Sequence, residues 1–299
     1  ILLKREGSTP EFSGINGGVM PYANLGEVKN RGIDGMIDYS KQSGNFFYSV
    51  KGTFTYARNK VLYNDEAKPR YDYLSGVGKR IDQPFGLVAI GYFKDQNDID
   101  NSPRQTFMSV LKAGDVKYLD VNKDGVIDDD DRVAIGHPIV PEWVLGLGGT
   151  IGYKNMELSL FFNGVTNVSM FTEGESIYAF SRGLGTYNIL EEYYNNRWTP
   201  TNQNSKYPAV SEMENPNNNR RSTLYLRDAS YIRLRSAEIA YRFPSKIVQA
   251  CKLQNARIFV NGMNLFTLDK IKFMNPESNS GTGEYPLQRS VNFGVQIGF

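Results

Sequence analysis

"RSVNFGVQIGF", Arg289 to Phe299, alternates without a fault. Val291, Phe293, Val295, Ile297 and Phe299 are apolar, and Asn292, Gly294, Gln296 and Gly298 fall between them. A period of two sends successive side chains to opposite faces of a strand, so the stretch reads as a β-strand with one apolar and one polar or small face.

The same period recurs upstream. In "FFYSVKGTFTYARNK", Tyr48, Val50, Phe54 and Tyr56 share one face, opposite Ser49, Lys51, Thr53 and Thr55. In "MELSLFFNGV", Met156, Leu158, Leu160 and Phe162 oppose Glu157, Ser159 and Asn163. Strands are expected near 26–40, 46–63, 84–94, 142–154, 156–168, 230–243, 256–268 and 289–299, several of them longer than the five or six residues usual in soluble sheets. "YIRLRSAEIAYRF" changes face midway, with Ile232 and Leu234 in one register and Ile239, Tyr241 and Phe243 in the other. A β-bulge near Ser236–Glu238 reconciles the two. A turn or two of helix is expected at "YNILEEYYNNRW", Tyr187–Trp198.

Tight links ("QSGN", Gln42–Asn45, and Lys154-Asn155) alternate with long polar segments near 95–141 and 169–229. "NQNS" and "ENPNNNRR" in the second read as solvated loop. Long two-faced strands joined by alternating short and long links are the pattern of a transmembrane β-barrel, with lipid on the apolar face. Aromatics at strand ends (Tyr153, Phe243, Phe266, Phe299) suit its interfacial girdles. A soluble β-sandwich or propeller also alternates and stays open at this point.

"YLDVNKDGVIDDDDR", Tyr118–Arg132, carries the one strong metal signal. Asp120, Asn122, Asp124, Gly125, Asp128 and Asp131 fall at positions 1, 3, 5, 6, 9 and 12 of an EF-hand-type loop, and the Val126 carbonyl at position 7. Calcium is a hard cation that wants six to eight oxygens, which these residues offer. Ile127 is expected to anchor the loop on apolar surface. Neither flank reads as a helix, so the expected role is structural: Ca2+ as the fastening of a long loop. "YYNNRWTPTNQNSKYP" mixes aromatics with Arg197 as glycan and peptide sites do, and equally as aromatic anchors that pack a loop on its own scaffold.

Composition narrows the function. A net charge of +2 over 299 residues gives no reason for a nucleic-acid partner. One cysteine, Cys251, excludes an internal disulfide and reads as a shielded thiol. One histidine, His137, lies between Gly and Pro and reads as a loop residue. Zinc sites and Ser-His or Cys-His catalysis find no support. Glycoside hydrolysis wants paired carboxylates on rigid strands, whereas the acidic residues here gather in one loop. No enzyme is expected.

Several segments together resemble the SusC/RagA family of TonB-dependent outer-membrane transporters. They are Gly114–Gly164 ("GDVKYLDVNKDG…SLFFNG"), Asn195–Pro208 ("NNRWTPTNQNSKYP"), Tyr225–Pro244 ("YLRDASYIRLRSAEIAYRFP"), Arg257–Leu268 ("RIFVNGMNLFTL") and the terminal Phe299. The resemblance runs over the whole chain. It implies an all-β fold, with residues 1–299 as about eight carboxyl-terminal strands of a larger, plugged barrel of about 22 strands. The opening "ILLKREGSTPEF", with no Met and no signal region, fits that expectation. The resemblance further implies outer-membrane, TonB-driven import of oligosaccharides or peptides in a Gram-negative, Bacteroidetes-like bacterium, and a SusD-like lipoprotein as lid. In such barrels a last strand ending in an aromatic, here Phe299, resembles the signal read by the barrel-assembly machinery. The segments 95–141 and 169–229 are then extracellular. The rival expectations are a passive porin-type barrel and a soluble calcium-stabilised β module for binding or adhesion.

Overall fold

A computed structural model of the chain describes residues 2–3, 23–108, 110–174, 177–181, 188–212, 214–278 and 285–299. The opening segment "ILLKREGSTPEF" falls, apart from Leu2 and Leu3, outside the described residues.

Seven long strands form one antiparallel sheet, each paired with its neighbours in chain order. They are β1 (Glu27–Ser43), β2 (Phe46–Tyr63), β3 (Trp143–Tyr153), β4 (Met156–Thr166), β5 (Tyr231–Arg242), β6 (Asn255–Asp269) and β7 (Ser290–Gly298). β1 and β7 are the edges of this open sheet. The chain turns tightly at one end: Gly44, at φ 58°, closes β1–β2, and Lys154, at φ 53°, closes β3–β4. Only glycine adopts that backbone without strain, and Gly44 supplies it at the first turn. A short helix, Ser245–Ala250, bridges β5 and β6 at the same end. The three long connections, 64–142, 167–230 and 270–289, all leave from the other end.

The bulge expected near Ser236 is present. One step from Phe161 to Phe162 on β4 spans two from Leu234 to Ser236 on β5, which leaves Arg235 as the extra residue. The irregularity continues into β6, where Arg235 lies between the Leu234–Phe266 and Ser236–Met263 pairs, and Asn264 takes a left-handed φ of 53°. Side chains that would otherwise switch face are thereby returned to it.

Two expectations are corrected. The stretch 84–94 is no wall strand; among the described residues the sheet has seven strands. Phe85–Gly86 pairs with Val133–Ala134, and Ala89–Tyr92 with Val116–Tyr118, all inside the first long connection. Its apolar residues serve a core within the loops: Leu87 and Phe93 are buried, and Leu87 packs with Val116, Tyr118 and Ile127. Alternation reports an apolar face but not whether lipid or another loop covers it. Cys251 is exposed rather than shielded, because it ends the short helix at the rim of the sheet. The expected helical turn exists as Glu191–Asn195, and Tyr187 lies outside the described residues.

Candidate functional site

Two adjacent rows of the sheet show how its two faces differ. On one face, Tyr48, Ile151, Leu158, Ile239, Val260 and Phe293 stand side by side in register from β2 to β7. One residue along, on the opposite face, the row is Ser40, Ser49, Thr150, Ser159, Glu238, Asn261 and Asn292. The polar row bonds across strands: Thr150 Oγ1 lies 3.0 Å from Ser159 Oγ, Asn292 Nδ2 donates to Asn261 Oδ1 at 3.0 Å, and Arg257 pairs with Glu238. The apolar face is bare, with Phe293 81% and Val295 68% exposed. An apolar surface this wide marks a face that another apolar surface covers. Phe299 continues it, 87% exposed.

Above the wall, the first two long connections dock on each other through buried polar groups. Asn215, Asn217 and Asn218, from the stretch expected to be solvated, are 7%, 0% and 2% exposed. Asn217 Nδ2 donates to the Val116 carbonyl at 3.0 Å, and its Oδ1 accepts from Gln105 Nε2 at 2.6 Å. Asn218 Oδ1 accepts from Val116 N at 2.9 Å. Gln105 also accepts from Tyr118 N (2.7 Å), and the Tyr118 hydroxyl donates to the Asn217 carbonyl (2.7 Å). Asp115 is held by Asn215 and Asn218 side chains at 2.8 and 2.9 Å. Burial nonetheless outweighs those bonds and raises its pKa. Asparagines here replace water for strands whose backbone groups are otherwise unpaired.

The acidic loop sits against this lock. Lys123 and Gly125 adopt φ of 61° and 82°, folding Asp120–Asp131 into a tight turn. Asp120 accepts from Lys123 N at 2.6 Å and Gly125 N at 2.9 Å; Asn122 accepts from Asp124 N and Asp124 from Val126 N, both at 2.9 Å. Asp128 accepts from Asp130 N at 2.8 Å. Asp131, fully buried, accepts from Val121 N at 2.7 Å and Asp128 N at 3.0 Å. Among the described residues, no group of three or more His, Cys, Asp or Glu side chains converges as a metal cluster. Backbone amides give these carboxylates a first compensation. The donors remain all oxygen, which is calcium's preference. Ile127 is buried in the loop core as expected, and Val126–Ile127 pairs in parallel with Arg104–Gln105. The turn is therefore one residue away from the asparagine lock. Arg70 and Arg220 neutralise Asp130 and Asp129 from outside.

The segment "YYNNRWTPTNQNSKYP" is a set of loop anchors. Tyr193 and Tyr207 are buried and stacked at 4.6 Å, and Trp198 is 7% exposed. Arg197 lies over the exposed Tyr194 ring at 3.7 Å. His137 is a loop residue, its backbone N–H donating to Ser169 Oγ at 2.9 Å.

Where the loops meet the top of β4 and β5 there is a cleft of about 1240 Å³, with Val165 and Tyr231 as its floor. Its charged lining is balanced: Arg132, Arg220 and Arg221 against Asp82, Glu173 and Glu277. Beside it, Arg233 on the polar face of β5 is 2% exposed yet fully bonded. It donates to Thr267 Oγ1 (2.8 Å), Asn275 Oδ1 (2.9 Å) and Glu277, whose carboxylate also accepts from the Tyr231 hydroxyl. Burial raises the Glu277 pKa, but these bonds and the Arg233 charge outweigh it and hold the group below the usual carboxylate range. This clamp fixes residues 270–278 of the 270–289 connection to the sheet. Its sequence signal, an arginine amid apolar strand residues, gives no hint of a partner 44 residues away.

No protein-family model matches the chain. It is 28% identical over 97% of its length to TonB-dependent receptor P26 of Formosa agariphila, covering 31% of that protein. TonB-dependent receptor SusC of Bacteroides thetaiotaomicron is 21% identical over 94% of the chain, which covers 27% of SusC. A solved structure of the RagAB peptide transporter superposes on the whole chain with a TM-score of 0.71 at 19% identity, over 32% of the RagAB chain. These relatives are receptors and transporters, not enzymes. In sequence the chain is similar to TonB-dependent receptors, SusC among them, and in fold to the RagAB transporter; it spans about a third of the length of these relatives.

Proposed function

We propose that β1–β7 form part of the wall of an outer-membrane barrel that imports bulky nutrients by a TonB-dependent mechanism. The observation that carries this reading is the pair of adjacent rows, apolar on one face and polar on the other, continuous across six strands. The apolar row faces lipid, and the polar row lines the path of an oligosaccharide or peptide cargo. The long connections are extracellular, the tight turns periplasmic, and Phe299 is the residue read by the barrel-assembly machinery. A SusD-like lipoprotein covers the loop end as a lid, and TonB acts through parts of the receptor outside this chain. The balanced charge of the cleft suits a large neutral or mixed-charge cargo rather than a simple ion.

Calcium belongs to the same proposal. Asp120, Asn122, Asp124, Asp128, Asp131 and the Val126 carbonyl would hold it, and its bound charge would tighten a turn that amides alone only partly neutralise. That turn lies next to the Gln105–Asn217 lock, so calcium would stiffen the docking of the two large loops.

The test is uptake by cells carrying the full receptor, with labelled oligosaccharides and peptides offered in parallel. Import that stops on loss of TonB or of the lipoprotein supports the reading. Equal flux without TonB points to a passive porin. Recovery of the receptor in the soluble fraction ends the barrel reading altogether. For calcium, a chelator should speed backbone amide exchange in 120–131 and 104–106; exchange that ignores both chelator and added calcium removes the metal from the proposal.

A further inference from the structure

The lipid-side face of β1 and β2 carries a cluster of cations at a defined height. Register sets Ile33 beside Tyr56 and Tyr56 beside Trp143, and the Tyr56 and Trp143 rings pack at 4.6 Å. This is an aromatic belt on the apolar face. At the turn end of the same strands, Phe46 and Tyr153 form a second belt, ten residues below Tyr56 and Trp143. Ten strand residues span roughly 34 Å, which is about 26 Å of height at the usual ~40° barrel tilt and matches the ~25 Å apolar band of outer-membrane barrels.

Just beyond the upper belt, on the same face, Arg31 stands directly opposite Arg58 and Lys29 directly opposite Lys60. All four are exposed. Like charges directly opposed across an antiparallel pair repel, so two such pairs in succession ask for an anion. Nearby carboxylates supply little. Glu142 lies 3.5 Å from Arg58, but it is buried and already bound to Arg80 at 2.5 Å. Glu27 lies two residues past Lys29, beyond a register shift at the end of the strand. Among the described residues, no ion pair involves Lys29, Arg31 or Lys60.

We propose that Lys29, Arg31, Arg58 and Lys60 bind the phosphate groups of an anionic lipid in the membrane leaflet on the loop side. The inference rests on the barrel reading above. Two residues past the belt is about 5 Å of height and four residues about 10 Å, the level of headgroups rather than of acyl chains or bulk water. The aromatic belt below would hold the lipid chains while the cations hold its phosphates, the arrangement expected of polybasic lipid sites. Lipid, not free phosphate, is the occupant, because the cluster continues an apolar face instead of closing a pocket.

The experiment uses the full receptor, extracted from the outer membrane, delipidated and placed in nanodiscs of phosphatidylethanolamine with or without diphosphoryl lipid A. Bound lipid A is counted by native mass spectrometry. At about one unit of favourable binding energy per surface cation, the variant Lys29→Gln/Arg31→Gln/Lys60→Gln should hold lipid A about a hundredfold more weakly. In lipid-free detergent the same variant should melt no lower than the wild type, since repulsion is removed; that sign reversal separates a lipid site from a folding defect. Lys51→Gln, on the opposite face, should change neither value. Dephosphorylated lipid A should be retained poorly by the wild type itself. Retention that ignores the substitutions or the lipid's phosphates overturns the proposal, as does equal displacement by inorganic phosphate. A receptor absent from the outer membrane overturns the barrel reading with it, whereas a membrane-inserted receptor indifferent to lipid A overturns this inference alone.

Discussion

The wall and the loops above it solve the same problem by opposite means. Both must satisfy every backbone N–H and C=O. In the wall the ladder does this, and the side chains only have to be apolar on one face and polar on the other, as the Tyr48–Phe293 and Ser40–Asn292 rows are. In the loops the ladder is broken into pieces of two to four residues, such as Phe85–Gly86 and Val116–Tyr118. The unpaired groups there are met one at a time by specific side chains, Gln105, Asn217 and Asn218 above all. A wall tolerates many sequences that keep its pattern. The loop assembly depends on particular residues with no substitute.

The comparison breaks first at the wall's apolar face. Val291→Arg, in the row that runs through Val50 midway between the two aromatic belts, should cost ~2–4 kcal/mol, whereas Asn292→Arg, one residue along on the polar face, should cost little. Refolding of the full receptor into liposomes across a denaturant series reads the difference. Equal sensitivity at both positions would mean that both faces are buried in protein, and the wall would be a sandwich layer instead.

The loops should break next, and at single residues. Asn217→Ala removes donors and an acceptor from a fully buried site and should cost about 1–3 kcal/mol of local stability. Asn204, exposed in the same asparagine-rich connection, should tolerate alanine within about 0.5 kcal/mol. Hydrogen exchange would show the Asn217 loss at Val116 and Tyr118 while the amides of β3–β7 stay protected. Exchange that quickens across wall and loops together would show that the two are one cooperative unit, and the contrast drawn above would fail.

What the sequence made legible follows the same division. Alternation is a local signal, so "RSVNFGVQIGF" reveals β7, and the change of face in "YIRLRSAEIAYRF" reveals a bulge placed within a residue of Arg235. The lock is not local. Asn217 and Asn204 lie in equally polar surroundings, and only the arrival of Gln105, 112 residues away, makes one a core residue and the other a surface one. The stretch 84–94 failed as a wall strand for a related reason: its apolar face is real, but Leu87 buries against loop residues and not lipid. In the acidic loop the spacing located the turn and its apolar anchor Ile127, while the amides that share in neutralising Asp120 and Asp131 became visible only with backbone geometry.

The smallest effect separates the two ways in which the long connections are fastened, through pH. The folded pKa of Glu277 lies below its unfolded value of about 4.3, so its stabilisation is complete above that pH and is lost as pH falls through the folded pKa. Protonation there leaves Arg233 buried without its charge partner. The pKa of Asp115 moves the other way: raised by burial above its unfolded value of about 3.9, it opposes folding increasingly as pH rises from that value through the folded pKa. Acidification from neutrality should therefore relieve the asparagine lock before it releases the 270–278 clamp. Above about pH 4.3 only Asp115 contributes, so the melting temperature should rise slightly on acidification to that point and fall once pH drops through the folded pKa of Glu277. Segment-resolved hydrogen exchange on a pH series should show protection near Asp115 holding or rising while that of 270–278 falls. Glu277→Gln should abolish the second change and leave the first. Parallel loss in both segments would mean that clamp and lock open as one, and that wall and loops are joined more tightly than their chemistry suggests.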